Sequence, residues 1–590
     1  MKKAFLILGI AAAAIAVSCN KDELNNKEVK VFEGDKAYVV VNINGVSTTQ
    51  TRADDNFLYG DSDENAVKDA YFYFYDSEGG FVTEAAIFSL SSNNDQTGTG
   101  IAYAANTVIT LSGLTQKEYP NWVVAVINKP TRFTAPKTLD EFAAALADAS
   151  SALYQTGNTN FTMTTSSYVA TADSEGKAAN QYTSESNTYY FATPVTNKNF
   201  VPEDIGYDTD NTPKIPDGYE AVKIYVERLA AKVTVMVSST LSNTATSDLY
   251  AITQEVFEDT GETPTSESLY IKLNGWKLNA TAKSSYYMKE IDDKWTPDGL
   301  GFTWNVTEYY RSYWAKAWPY GIGFTEDDFP QTSNGSTDGT SLNDYLNYTS
   351  LSGTPNSLGS YGDSITYGDI EYCAENTNTA EVEGIPSALT SILLSATVCD
   401  ETGTGKDIVR HNGYIYTLNA YYNLVLTHLT GYYTDSSASN ALAASDLELA
   451  TGHDGLVTVA LKSGVTVYDT NGTDATSDAE AALKTFNEDI GNDANYFNGG
   501  AMYYNIPIRH LSTIEPTTGN DDDSVVYNEG YYGVVRNHWY LGIIKSLTSL
   551  GKGIAKTDEV IVPTPEDATY YIGADVSILE WAYVDWEIEL

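Results

Sequence analysis

Residues Lys36 to Asn44 alternate with a period of two, Ala37, Val39, Val41 and Ile43 on one face and Tyr38, Val40, Asn42 and Asn44 on the other. That is the pattern of a β-strand with one strongly apolar side. Gly45 ends it, and Ser47, Thr48, Thr49, Gln50 and Thr51 follow without an apolar anchor, up to Arg52, the first arginine of the chain, and then Ala53-Asp54-Asp55. An arginine in an exposed polar segment is an accessible target for a trypsin-like protease. From these residues alone the stretch is either an ordinary first strand with its loop or a strand with a cleavable handle.

The runs downstream repeat the strand pattern, and composition supports it. The 45 tyrosines, with abundant Thr, Ser, Asn and Gly, favour strands and turns over long helices. A chain of 590 residues is too long for one core and implies two or three domains. Its 42% apolar content is ample for burial and argues against global disorder. With 34 basic against 79 acidic residues the formal charge is −45. Such a surface repels phosphate backbones and anionic headgroups, so nucleic acid is excluded as a partner. Cys19, Cys373 and Cys399 cannot form a disulfide scaffold and lack the spacing of a zinc site; a Cys373–Cys399 bridge stays open.

Residues 1–18 carry Lys2 and Lys3 and then an apolar run from Ala4 to Val17, the plan of a secretory signal that is short for a membrane span. The run ends in Ala16-Val17-Ser18-Cys19, small residues ahead of a cysteine, as in the lipobox of bacterial lipoproteins, and Cys19 is expected to be lipidated. Strands are predicted over Val67–Asp76, with a Ser77-Glu78-Gly79-Gly80 turn, over Thr107–Leu114 and over Trp122–Asn128, the last apolar enough to be buried on both faces. Thr138 and Glu141 have capping-box spacing ahead of a stripe of Leu139, Phe142, Ala143 and Leu146, predicting a helix. Residues 199–220, with three prolines and no periodicity, predict a linker and a domain boundary at 210/211.

Val222 to Val237 reads as two strands with a break around Leu229 to Ala231. Leu269–Ala280, Thr390–Val398, Tyr414–Leu426 and Val457–Leu461 add further strands. Asp327–Asp363 reads as a long surface excursion, and Ser477–Asp489 as a helix opened by a Ser477/Glu480 capping box. The chain closes on Ala582, Val584, Trp586, Ile588 and Leu590 on one face, with Asp585, Glu587 and Glu589 on the other: an amphipathic strand where most chain ends are polar.

No catalytic, cofactor-binding or metal-binding constellation is visible, and the chain is not expected to be an enzyme. His411, His428, His453, His510 and His538 form no H-x3-H or H-E-x-x-H arrangement, and neither a G-x-S-x-G elbow nor a Walker loop is present. Asp469-Thr470-Asn471-Gly472 and Asp521-Asp522-Asp523 read as solvated acidic loops, since neither has a full calcium ladder.

Several segments resemble the fimbrillins, or type V pilins, and within them the major (shaft) subunit of short fimbriae. They are Cys19, the strand with Arg52, Val226-Glu227-Arg228-Leu229-Ala230-Ala231-Lys232-Val233, Arg311 to Ala315, Tyr372 to Thr377, Tyr503 to Leu511, and Gly533-Val534-Val535-Arg536-Asn537-His538-Trp539-Tyr540, continuing through Gly551-Lys552-Gly553 to Trp586–Leu590. The resemblance implies an all-β protein with minor helix, built from two transthyretin-like β-sandwich domains over 53–210 and 211–590. It implies a lipoprotein signal over 1–18 and a lipidated propeptide over 19–52. An arginine-specific protease would cut between Arg52 and Ala53 and remove the first strand, with its Val39, Val41 and Ile43. A neighbour's Ala582–Leu590 would then fill the vacated groove.

The implied partners are copies of the same chain, anchor and tip subunits, and the processing protease, with a transient outer-membrane lipid anchor before display on the cell surface in adhesion and biofilm formation. The alternatives are a fimbrial tip or anchor subunit, or a surface glycan-binding lipoprotein whose aromatic residues serve as stacking platforms.

Overall fold

A computed structural model of the chain describes residues 36–45, 64, 66–88, 103–114, 120–153, 160–167, 180–185, 187–209, 212–241, 248–258, 263–291, 314–320, 345–452, 455–510, 517–518, 525–526, 529–564, 576–577 and 582–589. Among the described residues three large β-sheets carry the fold and helices are few, so the all-β expectation is met.

The main strands of the first sheet are β1 (Lys36–Gly45), β2 (Asp69–Tyr75), β3 (Phe81–Phe88), β4 (Tyr103–Ser112), β5 (Trp122–Ile127), β6 (Met163–Thr165), β7 (Phe200–Val201) and β8 (Val222–Arg228), with the short Thr193–Pro194 paired to β5. Its order is β7-β1-β8-β6-β5-β2-β3, with β4 also paired to β1. The sheet curls until β3 nears β4, where Thr83 Oγ1 donates to the Ser112 carbonyl at 3.1 Å. Inside the curl, alternate residues of β1, β2, β4, β5 and β8 form one core that includes Val39, Phe72, Leu111, Val123 and Ile224. The other face of β2 and β5 presents Tyr73, Tyr75, Val124 and Val126 to a second cluster. Both faces of β5 are therefore buried, in line with its unbroken apolar sequence.

A break of one residue, Leu229, separates β8 from β9 (Ala230–Ser238), the first strand of the second sheet. Sheet pairing thus changes at Leu229. In the second sheet β9 runs parallel to β10 (His538–Ser546), and β10 parallel to β11 (Ala582–Glu589). Residues His538 to Ile544 are all buried, since β10 lies between two cores. Tyr540 and Ile544 face the third sheet, while Trp539, Leu541 and Ile543 face the cluster shared with the first. The third sheet centres on Leu249–Phe257, Thr265–Asn279, Ser391–Cys399 and Ala501–Pro507 and closes a sandwich with the second around Val233, Val235, Trp276 and Ile392. Its two edge strands are tied by an asparagine: Asn495 Nδ2 donates to the Gly553 carbonyl at 2.9 Å and Gly553 N–H to Asn495 Oδ1 at 2.7 Å. The side chain thereby continues the ladder at an edge otherwise open to another chain.

Several local expectations need correction. Tyr414–Leu426 is not one strand: Tyr414–Thr417 is, and Leu418–Leu426 is a helix, α2, following the short helix α1 (Leu139–Ala143). The switch occurs at Thr417, whose hydroxyl caps the helix by accepting from Ala420 N–H at 3.2 Å, after which Ala420, Tyr421 and Val425 fall on the buried side. At α1, Thr138 caps as expected, but the helix ends at Ala143, and the exposed Leu146 belongs to a short strand pairing with Ser284–Tyr286. The later helix, α3, spans Thr476–Asp489; its start is set by Asp474, which accepts from the Thr476 N–H and hydroxyl, and Ser477 makes no cap.

Residues 345–363, expected within a surface excursion, strap the fold. Gly359–Tyr361 adds to β9, and Asn356 exchanges backbone hydrogen bonds with Trp276. That approach requires Gly275, at φ +135°, where a Cβ would meet the Asn356 carbonyl at 2.4 Å. Cys373 and Cys399 are buried, unbridged thiols.

The aromatic core predicts alkaline unfolding. Burial raises the Tyr73, Tyr75, Tyr421 and Tyr504 hydroxyls far above the ordinary value and pushes Tyr287 up to about 12. A raised folded pKa means that the associated stability is complete below the unfolded value near 10 and is lost as pH rises above it, by up to about 1.4 kcal/mol per pH unit for each phenol. Ionisation of these phenols, followed near 295 nm, is expected to coincide with loss of near-ultraviolet circular dichroism. Full phenol titration with the dichroism intact would contradict this.

Candidate functional site

The opening strand is an interior strand. On one side β1 pairs antiparallel with β4 along its whole length, from Lys36↔Ser112 to Gly45↔Tyr103. On the other, Tyr38 and Val39 pair antiparallel with β7, and Val41 to Gly45 pair parallel with Val222 to Val226 of β8. Val39, Val40 and Val41 are each 0% exposed and Ala37 is 2% exposed. The period-two face of Ala37, Val39 and Val41 lies in the first-sheet core, as the sequence indicates. Val40, assigned to the less apolar face, is also buried, because Val201 and Ile205 fold over that side. Fully burying such side chains contributes about 1.5–3 kcal/mol each. Taking β1 out would open a slot with two unpaired edges, β4 on one side and β7 with β8 on the other.

Of the other residues singled out in the sequence, Cys19, Arg52, Ala53 and Leu590 lie outside the described residues, and Ile43 is described for its backbone, opposite Ala105 and Ile224. Ala582, Val584, Trp586 and Ile588 lie on β11, whose backbone pairs within its own chain: Val584 opposite Tyr540 and Trp586 opposite Gly542 in β10, and Trp586 opposite Val576 on the other side. The terminal strand thus runs parallel to β10, as part of β1 runs parallel to β8.

The motif segments from four distant parts of the chain meet at the junction between the first and second sheets. There Arg228, Lys232, Lys289 and Arg536 face Glu64, Glu227 and Glu375, all of them buried. Arg536 is anchored by Nε to Glu375 Oε2 at 3.0 Å, and its remaining N–H groups reach the Tyr287 carbonyl at 3.1 Å and the Tyr286 carbonyl at 2.8 Å. Lys289 Nζ lies 3.1 Å from Glu227 Oε2, with both side chains 0% exposed. Arg228 donates from Nη1 to Asn537 Oδ1 at 3.0 Å, fixing the residue that precedes β10. Burial raises the Glu227 carboxyl above its ordinary value, against the opposing charges of Lys289 and Arg536. Asn376 ties the strand before it to the 533–540 segment through reciprocal backbone bonds with Val534 at 2.8 Å, and Thr377 accepts from Ala317 N–H at 2.9 Å. Gly533, at φ +147°, lets Trp314 pack so closely that a Cβ would sit 2.5 Å from its ring. Such a network fixes how the sheets meet. Among the described residues no group of His, Cys, Asp and Glu side chains is placed to hold a metal ion.

The histidines fit that structural role: His510 Nδ1 lies 2.9 Å from the Tyr540 hydroxyl, and His538 Nδ1 2.8 Å from the Arg536 carbonyl. The sequence did not single out Glu64, Lys289 or Val40. Charges inside the apolar Val226–Val233 run signal that buried partners exist, but the partners lie 62 residues away for Glu227 and 164 for Arg228.

Comparison with known proteins matches part of the chain to a family model. Residues 495–586 match the family model described as "Major fimbrial subunit protein type IV, Fimbrillin, C-terminal". Among solved structures, the chain is similar to a fimbrilin from Porphyromonas gingivalis W83, with 12% identity and a TM-score of 0.29, covering 94% of this chain and 97% of that one. It is also similar to the tip fimbrial protein Mfa3 from Porphyromonas gingivalis with C-terminal truncation, with 15% identity and a TM-score of 0.19, covering 57% of this chain and 99% of that one. Superpositions this loose do not define the fold. No curated protein matches the sequence. The match over 495–586, which takes in β10 and most of β11, makes that part of the chain similar to the C-terminal region of the fimbrillins.

Proposed function

We infer that this chain is a shaft subunit of a bacterial surface fimbria that polymerises by protease-triggered strand exchange. It is exported as a lipoprotein anchored through Cys19 to the outer membrane and cut between Arg52 and Ala53 by an arginine-specific protease. Strand β1 then leaves, and Ala582–Leu590 of a neighbouring copy enters the slot. The chain acts as a structural subunit without enzymatic activity, joined to like copies along the shaft and to anchor and tip subunits at its ends.

The observation that carries this reading is the position of β1: an interior strand, paired on both edges and buried on both faces, that comes first in the sheet and is followed by the arginine-bearing tether. Unpaired sheet edges around an apolar slot strongly favour strand addition. The terminal segment has the matching period, Ala582, Val584, Trp586 and Ile588 against Ala37, Val39, Val41 and Ile43. For exchange it must leave the edge of β10, so the same strand has one place in the free subunit and another in the fibre.

The test is Arg52→Ala in cells that assemble the fimbria. The expected product is lipidated, uncut subunit without fibres, scored by electron microscopy and by the mass of the subunit. Fibres of normal length from this variant would sink the reading.

A further inference from the structure

The two described residues that bracket the cleavage point in sequence, Gly45 and Glu64, are held at the same place. Gly45 pairs with Val226 of β8. Two residues along that strand, Arg228 Nε donates to the Glu64 carbonyl at 3.0 Å. The Glu64 side chain is held by different elements. Its carboxylate lies 2.7 Å from Lys232 Nζ of β9 and accepts the Tyr372 hydroxyl, and Lys232 Nζ in turn sits 4.0 Å above the Trp539 ring of β10. Thus β1 is bound to the first sheet, whereas Glu64 is tied through its side chain to the second.

A cut between these two points creates two new ends with different fates. The upstream end carries β1, which can leave as a unit. The downstream end leads through Glu64 to β2, where Phe72, Tyr73 and Phe74 are each 0% exposed. Fraying of that end past Glu64 would reach the core of the first sheet. Burial alone would raise the Glu64 carboxyl, but the Lys232 and Arg228 charges and the hydrogen bonds outweigh it and hold it below its ordinary value, so it is ionised at neutral pH. Pulling it away would leave Lys232 and Arg228 buried without this partner, a strongly unfavourable state.

Resting on the reading that the chain is cut after Arg52, we propose that Glu64 is a retention anchor: it pins the new chain start of the processed subunit to the second sheet, so that processing detaches β1 alone and leaves β2 in place. Glu64 is in this sense a positioning residue, acting on what the cut releases and not on whether the cut occurs.

The test follows the new terminus. Full-length protein is cut with an arginine-specific endoprotease and then exposed to an aminopeptidase, and the resulting N-termini are read by mass spectrometry. In the wild type, trimming is expected to halt before residue 64. In Glu64→Ala, trimming past residue 64 is expected to be faster by on the order of a hundredfold, with Glu64→Gln, which keeps an acceptor for Tyr372, in between. If Glu64→Ala does not fold, Glu64→Gln carries the comparison. Hydrogen exchange in β2 gives the second readout: a loss of protection that appears in the variants after the cut supports the anchor, and a loss of equal size before the cut shows an ordinary structural role and overturns it. Trimming that halts at the same residue in every form also overturns it. If the bond after Arg52 resists the protease, the processing reading fails on its own. The anchor is then tested by the same comparison in a chain with a site for an unrelated endoprotease in place of Thr48–Arg52.

Discussion

Replacing Arg536 with alanine is expected to lower the unfolding free energy by about 3–5 kcal/mol, the range for removing one partner of a buried ion pair. The guanidinium holds Glu375, donates to the Tyr286 and Tyr287 carbonyls and to Ser285 Oγ at 3.2 Å, and contributes to the field that opposes the raised pKa of Glu227. Alanine would leave the buried Glu375 carboxylate without its cationic partner, with the backbone N–H of residue 536 at 3.4 Å, and would remove one donor from each of the Tyr286 and Tyr287 carbonyls, which keep the Ser285 and Thr164 hydroxyls. Lysine is a poor substitute, because a single ammonium cannot reproduce the fork that reaches Glu375 and the Ser285–Tyr287 segment at once. The paired change Arg536→Met with Glu375→Leu is expected to cost less than Arg536→Ala alone, since the unpaired carboxylate goes with its partner. Urea titration followed by near-ultraviolet dichroism reads all three variants. A loss below about 1 kcal/mol for Arg536→Ala would mean that the junction is not a keystone of the fold.

The second large effect concerns β1. Cutting the tether leaves β1 held by non-covalent pairing alone, and its release exposes Val39, Val40 and Val41, whose burial contributes about 4.5–9 kcal/mol in all before the entropy of ordering the strand is set against it. A subunit that has lost the strand is expected to polymerise. A synthetic peptide of Lys36–Gly45 supplied in excess should refill the slot and stop growth. The same peptide with Val39→Asp and Val41→Asp should not, because each aspartate would have to be buried unpaired in the core facing Phe72 and Ile224. Light scattering of cut protein, with and without each peptide, measures this. Equal inhibition by the two peptides would contradict the slot as the site of growth.

Much of the sheet structure was legible because period-two alternation and unbroken apolar runs are local signals. The Ala37, Val39, Val41 face, the double burial of β5 and the break at Leu229 follow from neighbouring residues alone. The missed elements depended on distant ones. Tyr414–Leu426 is apolar enough for either period, and only the Thr417 cap and the core under Tyr421 and Val425 decide for a helix after Thr417. Val40 is buried because residues 201 and 205 fold over it. The junction was half visible: Glu227, Arg228, Lys232 and Arg536 stood in recognisable motifs. Pairing Arg536 with Glu375 across 161 positions, or Lys232 with Glu64 across two sheets, requires the topology. The terminal strand was read correctly as a strand, and its parallel place beside β10 could not be inferred from its own residues.

The central claim is that the opening strand is present in the free precursor and absent from the assembled fibre. It is tested most directly by the N-terminal residue of subunits recovered from fibres, read by mass spectrometry of the intact chain. The account predicts Ala53, with no peptide from Lys36–Gly45 retained. Fibre subunits that begin at Cys19 and still carry Lys36–Gly45 would contradict it.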